Sequence, residues 1–207
     1  MALPQGINFR QTVGFVTDAA NDSFEGDGGA FLTPPTYPRT TAQGNNVGWE
    51  AGPANVIERD RQSGNNPKLA GLHAPSSAGD IYDYRIDLPS AGTHRVRIAA
   101  GDGGYANSCK VELFDTSTSK GVLCNGSTGA ANSFFDATGT IYTAANWPGS
   151  NTYFQATFST TILRFRNGAA TFFSPLAHVY VEAVAGAGWG GLLAHKSNRL
   201  VVPLAPT

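Results

Sequence analysis

Charged side chains are scarce in this chain, 14% of its 207 residues, and they nearly cancel: 14 Lys and Arg against 15 Asp and Glu leave a net charge of -1. There is no basic field to gather nucleic acid or anionic lipid, and no acidic tail to suggest the reverse. No apolar run is long enough to cross a bilayer as a helix, so neither nucleic acid nor a membrane is an expected partner. Met1 to Gly6 has neither the basic start nor the apolar segment of a secretory leader, and the expected setting is the inside of a cell. Two cysteines cannot make a disulfide scaffold. No stretch holds a 3.6-residue period long enough for a helix. Also missing are the HExxH pair, the nucleophile elbow and the phosphate-cradling loop. Glutamate is scarce, and His73, His94, His178 and His195 stand singly, so an enzyme is not expected.

What is present is turn punctuation, 25 Gly and 12 Pro, within a composition that is 41% hydrophobic. That combination describes an ordered chain of short strands. The clearest stretch is Tyr82 to Asp102, YDYRIDLPSAGTHRVRIAAGD. Tyr82, Tyr84, Ile86 and Leu88 alternate with Asp83, Arg85 and Asp87; beyond Pro89 to Gly92, His94, Val96, Ile98 and Ala100 alternate with Arg95 and Arg97. The pattern predicts an antiparallel hairpin with one core face and one wet face, on which Asp83 and Asp87 partner Arg95 and Arg97. Further strands are expected at 8–16, 47–52, 71–74, 109–114, 121–125, 141–144, 153–158, 161–166 and 177–185. That spacing suits a single all-β domain over residues 1–185, an antiparallel two-sheet sandwich with extended loops.

The longest loop, 17–46, is rich in Gly, Pro, Asn and Asp and reads as a functional loop or an ordered arm. A second polar loop runs over 59–67, where Arg59, Asp60 and Arg61 are suited to pinning it to the sandwich. Cys109 and Cys124 fall in facing strands of a second hairpin. A four-residue loop sets them diagonally and a two-residue loop sets them opposite; free, buried thiols are the favoured reading. After 185 a glycine hinge leads into a C-terminal arm, 186–207, whose Trp189, Leu192, Leu193, Leu200, Val201, Val202 and Leu204 need a cover and read as assembly contacts.

Two clusters carry chemistry. Asp18, Asp22, Glu25 and Asp27 lie in a Gly-rich stretch, where hard oxygen ligands suit a structural calcium, with plain turn closure the favoured alternative. Asn146, Trp147 and Tyr153 offer an indole and a phenol for stacking on a pyranose and an amide for its hydroxyls, or else a loop anchor packed on a sheet edge. Trp49, inside a strand, reads as core.

The aromatic strand, the LP-x-x-G turn and the second strand ending in Gly101-Asp102 resemble galactose-binding-like and related carbohydrate-binding jelly-roll modules. Gly6 to Arg10, Gly48-Trp49, Arg59 to Arg61 with Pro67 to Gly71, and Asn146 to Asn151 are similar to bacterial and bacteriophage proteins of that type. The resemblance covers residues 6–185 and implies a jelly-roll-like β-sandwich, a scaffold that serves lectins, enzyme appendages and virus coats alike. The expected function is that of a non-enzymatic virion structural protein, a bacteriophage capsid decoration or tail-associated subunit. It would assemble in the host cytoplasm with other virion subunits and with copies of itself, its arm reaching a neighbour. The alternative is a carbohydrate-binding module that recognises a surface glycan through loop aromatics. Apart from the calcium under consideration, no cofactor is expected.

Overall fold

The computed structural model describes residues 3–10, 13–17, 23–28, 34–50, 56–60, 69, 71–75, 77, 79–148, 152–168 and 172–184, and of 13–17, 23 and 57–60 the backbone alone. Sixteen strands form among the described residues. They are β1 Gln5–Asn8, β2 Val13–Thr17, β3 Ser23–Asp27, β4 Arg39–Thr40, β5 Asn46–Trp49, β6 Val56–Asp60, β7 Gly71–Pro75 and β8 Tyr82–Asp87. Then come β9 Gly92–Asp102, β10 Ser108–Asp115, β11 Thr118–Ser127, β12 Ser133–Phe135, β13 Ile141–Thr143, β14 Phe154–Phe158, β15 Ile162–Asn167 and β16 Leu176–Ala183. A 3-10 turn over Ala144–Asn146 follows β13.

The strands make two sheets. One has ten strands in the order β13-β12-β9-β16-β1-β3-β2, with β14 beside β9 and β7 and β6 reached through β16; the other has six, β11-β10-β15-β8-β5-β4. The chain is therefore an all-β, jelly-roll-like two-sheet sandwich. Neighbours run antiparallel as the alternation implies, while β1 and β3 lie parallel. The expected long loop over 17–46 is not one, because β3 and β4 fall inside it.

Alternation sets the faces. Tyr84, Ile86 and Leu88 from β8 and its end, Leu163 and Phe165 from β15, and Val111 and Leu113 from β10 meet Val96, Ile98, Val179 and Val181 of the opposite sheet. All are buried, each worth about 1.5–3 kcal/mol for a large aliphatic or aromatic group taken from water.

The strand partners differ from expectation. β8 pairs with β15 and β5 in the six-stranded sheet, whereas β9 pairs with β16, β12 and β14 in the ten-stranded one. The predicted hairpin is instead a connection from one sheet to the other, and its two apolar faces meet across the core. Pro89 helps to end the β8 ladder, having no N–H to continue it. The wet-face pairs change accordingly: Asp83 holds Arg166, Asp87 holds Arg85, Arg95 lies 3.8 Å from Glu182, and Arg97 stacks on Tyr180.

The β10–β11 hairpin forms as expected, through the two residues Thr116 and Ser117. Register begins at Asp115↔Thr118, which would set Cys109 opposite Cys124, but shifts between Val111 and Glu112 and between Leu113 and Phe114 move Val111 against Cys124. The cysteines end up diagonal, buried and free.

Candidate functional site

The outer face of the ten-stranded sheet carries an aromatic strip. On β9, Arg95, Arg97 and Ala99 alternate outward while His94, Val96, Ile98 and Ala100 point to the core. β16 places His178, Tyr180 and Glu182 beside them, through the pairs His178↔Ala99, Tyr180↔Arg97 and Glu182↔Arg95. Trp147, directly after the 3-10 turn, packs with Ala99, Ala177, Phe134, Leu69 and Ala144. Its ring stands nearly perpendicular to those of Phe134, Tyr142 and His178, with centroids 5.7–6.2 Å away. Phe24 of β3 extends the strip, 4.8 Å from the His178 ring and 5.5 Å from that of Tyr180. At the other end the Arg95 guanidinium lies 4.3 Å over the Tyr153 ring and donates to Gln155.

Two of the three expected sugar contacts, Trp147 and Tyr153, thus lie on one face. Trp147 is a partly buried anchor of the outer cluster as well as a surface aromatic, and its Nε1 is turned inward without a protein partner. Tyr153, at 38% exposure, is the open ring. Asn146 is exposed at the end of the 3-10 turn. The sequence reading missed Tyr142, His178, Tyr180, Arg95 and Arg97 as neighbours on this face, of which His178, Tyr180 and Arg97 are buried. The outward alternation on β9 contained the two arginines, but what lies beside them depends on β16, 80 residues further on.

The acidic cluster resolves differently. Asp18 and Asp22 lie outside the described residues. Glu25 accepts from Arg39 at 2.7 Å and from the backbone N–H of Ala42 at 2.9 Å, which ties β3 of one sheet to the β4 edge of the other. Asp27 lies 3.1 Å from Nε2 of His73, and Nδ1 of the same ring accepts the indole N–H of Trp49 at 2.7 Å. Gln5 accepts from Thr41 and Asn45 at the same seam. Glu25 and Asp27 thus serve as stitches between the sheets, Asp27 through His73 and Trp49, and no group of three metal-binding side chains occurs among the described residues. The residues expected to make assembly contacts, Trp189, Leu192, Leu193, Leu200, Val201, Val202 and Leu204, with His195 and Arg61, also lie outside the described residues, and of Arg59 and Asp60 only the backbone is described.

No protein-family model matches the chain, and no curated protein matches it. Among solved structures it is similar to protein YxiM of Bacillus subtilis, at 13% identity over 88% of this chain and 40% of that one, with a TM-score of 0.48. It is also similar to β-glucuronidase 2 of Bacteroides uniformis, at 12% identity over 88% and 18%, TM-score 0.49. A family 35 carbohydrate binding module of Clostridium thermocellum is 13% identical over 72% of this chain and all of that one, TM-score 0.40. The chain spans less than half the length of the first two. With all three TM-scores under 0.5, the functional reading stands on this chain's own side chains.

Proposed function

We propose that the chain is a glycan-binding sandwich module that lays an oligosaccharide along the outer face of its ten-stranded sheet. The observation that supports this reading is the placement of Trp147, half-buried, and Tyr153, exposed, on one face, on either side of the buried Arg97–Tyr180 stack. From Ala99, under Trp147, to Arg95, under Tyr153, the strand advances by about 13 Å, a span for more than one sugar ring. Aromatic rings take the C–H face of a pyranose, and Arg95, Gln155, Glu182 and Asn146 line the same surface as donors and acceptors for hydroxyls. The reading includes no reaction step. The described histidines, His73, His94 and His178, are buried and packed against aromatic rings. The virion reading would rest on the arm at 186–207, and no described residue favours it.

The test is a glycan array followed by calorimetry on the parent protein, Tyr153→Ala and Trp147→Ala. Binding to at least one oligosaccharide is expected, with loss in both variants. Tyr153→Ala should keep its melting temperature, whereas Trp147→Ala should lower it, because Trp147 also packs. A parent that binds no glycan, or binding that survives both substitutions, overturns the proposal.

A further inference from the structure

The opposite sheet carries a second, separate concavity. Glu50, Ile81, Tyr82, Asp83 and Arg166 line a cleft of about 260 Å³ on the outside of the six-stranded sheet. It is just below the roughly 300–1,000 Å³ of ordinary small-molecule pockets, which is room for one ring rather than a chain.

Its walls are fixed before any ligand arrives. Arg166 donates from Nε and Nη2 to the two Asp83 oxygens, 2.9 Å each, and its guanidinium lies 4.2 Å over the Phe114 ring. Glu50 accepts from the Arg164 guanidinium at both oxygens and from Arg85, and its backbone N–H donates to the Asp83 carbonyl. Arg85 and Arg164 stand directly opposite in the β8–β15 ladder, a repulsive pairing that the Glu50 carboxylate offsets. Gly168 sets the rim. Its φ is +108°, and a Cβ there would sit 2.1 Å from the Asp80 carbonyl oxygen, so only glycine lets the Asp80-Ile81 backbone close against the end of β15. That closure holds Ile81 at the mouth, 54% exposed.

We propose that this cleft binds a single neutral sugar ring. The cations beside it are all paired, Arg85, Arg164 and Arg166 to Glu50, Asp83 and Asp87, and Glu112 stands opposite Arg166 on β10, so no unpaired cation draws an anion. What remains unspent is hydrogen-bonding capacity. Each Asp83 oxygen accepts one bond from Arg166 and keeps a second lone pair, and Arg166 Nη1 donates to no described residue. A fixed acceptor beside a fixed donor matches two adjacent hydroxyls, and Ile81 and Tyr82 give an apolar side for the ring's C–H face. The site lies on the other sheet from the aromatic strip and is independent of it.

The experiment is chemical-shift mapping on the full chain and on Tyr153→Ala, titrated with the methyl glycosides of glucose, galactose, mannose and xylose and with glucuronic acid. At least one neutral glycoside should shift the amides of residues 81–83 and 166 in both proteins, with affinity of about millimolar order. Ile81→Ala, at an exposed rim position, should weaken that binding about tenfold. Asp83→Asn, close in size, should do the same by replacing one of the two accepting oxygens with an NH2 group that cannot accept from Arg166 or the ligand. No neutral glycoside shifting those amides, binding indifferent to both substitutions, or a preference for glucuronic acid overturns the proposal. Persistence of the cleft signal in Tyr153→Ala separates its outcome from that of the aromatic strip.

Discussion

Trp49 donates its indole N–H to Nδ1 of His73 at 2.7 Å, with both side chains at 0% exposure. An indole nitrogen can only donate, so Nδ1 carries no proton; the hydrogen is on Nε2, which faces Asp27 Oδ2 at 3.1 Å. The chain runs from β5 of one sheet through β7 to β3 of the other, inside a cluster of Phe9, Trp49 and Tyr84 rings. Trp49→Phe keeps an aromatic ring, loses the volume of the indole's second ring and strands a buried nitrogen. It should cost about 1–3 kcal/mol in chemical denaturation. Nitrogen-15 spectra of the parent should show the Nε2–H tautomer, and the Nδ1–H form would refute the assignment.

Stability should fall in two steps as the solution is acidified. Burial lowers the His94 imidazole below its ordinary value, only partly offset by the Gly92 carbonyl at 3.0 Å. The unfolded chain therefore takes up that proton first, and stability present above about pH 6.5 is lost as pH falls. Burial alone would raise the Asp115 carboxyl, but bonds from Thr160, Ser159 and Lys120 together hold it well below the usual carboxylate range. Glu50 is likewise lowered, burial being outweighed by Arg164 and Arg85. Their contribution is present above about pH 4 and lost as pH falls below it. Unfolding free energies measured from pH 8 to 3 should show both declines, with His94→Phe removing the first and Asp115→Asn reducing the second. A rise in stability between pH 7 and 5 would contradict this.

Thiol reagents should leave the folded protein untouched. Burial pushes the Cys124 thiol up to about 12, against an opposing backbone hydrogen bond from Val111, and raises Cys109 well above its ordinary value. Thiolate is the reactive form, and neither cysteine is exposed. Labelling should begin only in denaturant, at the unfolding midpoint. Rapid labelling of either cysteine at neutral pH in the native state would show that the strand register is wrong.

Gly71→Ala should be strongly destabilising. A Cβ at Gly71 would sit 1.9 Å from the Phe9 carbonyl oxygen and 2.5 Å from the Phe9 carbonyl carbon, backbone that cannot swing aside. A loss of about 3 kcal/mol is expected, read as a lower urea midpoint at unchanged slope. A shift of a few tenths would mean that the β7 start is not packed against the chain after β1.

By itself, the sequence determined which side of the clearest strands faces the core. Tyr84, Ile86, Val96 and Ile98 face inward as their alternation requires, because a pleated strand has no other way to separate apolar from polar side chains. It determined too that Cys109 and Cys124 lie in facing strands. Tertiary structure decided everything that depends on which strand lies next to which. Period-2 patterning is the same for a hairpin partner and for a strand across the core, so β8 and β9 were legible as strands and not as members of opposite sheets. The same reason hid the cleft, which needs Asp83 of β8, Arg166 of β15 and Glu50, just past β5, brought together. It also hid the fate of Glu25 and Asp27, whose spacing in the chain suits a cation while their neighbours in space, Arg39 and His73, already occupy them.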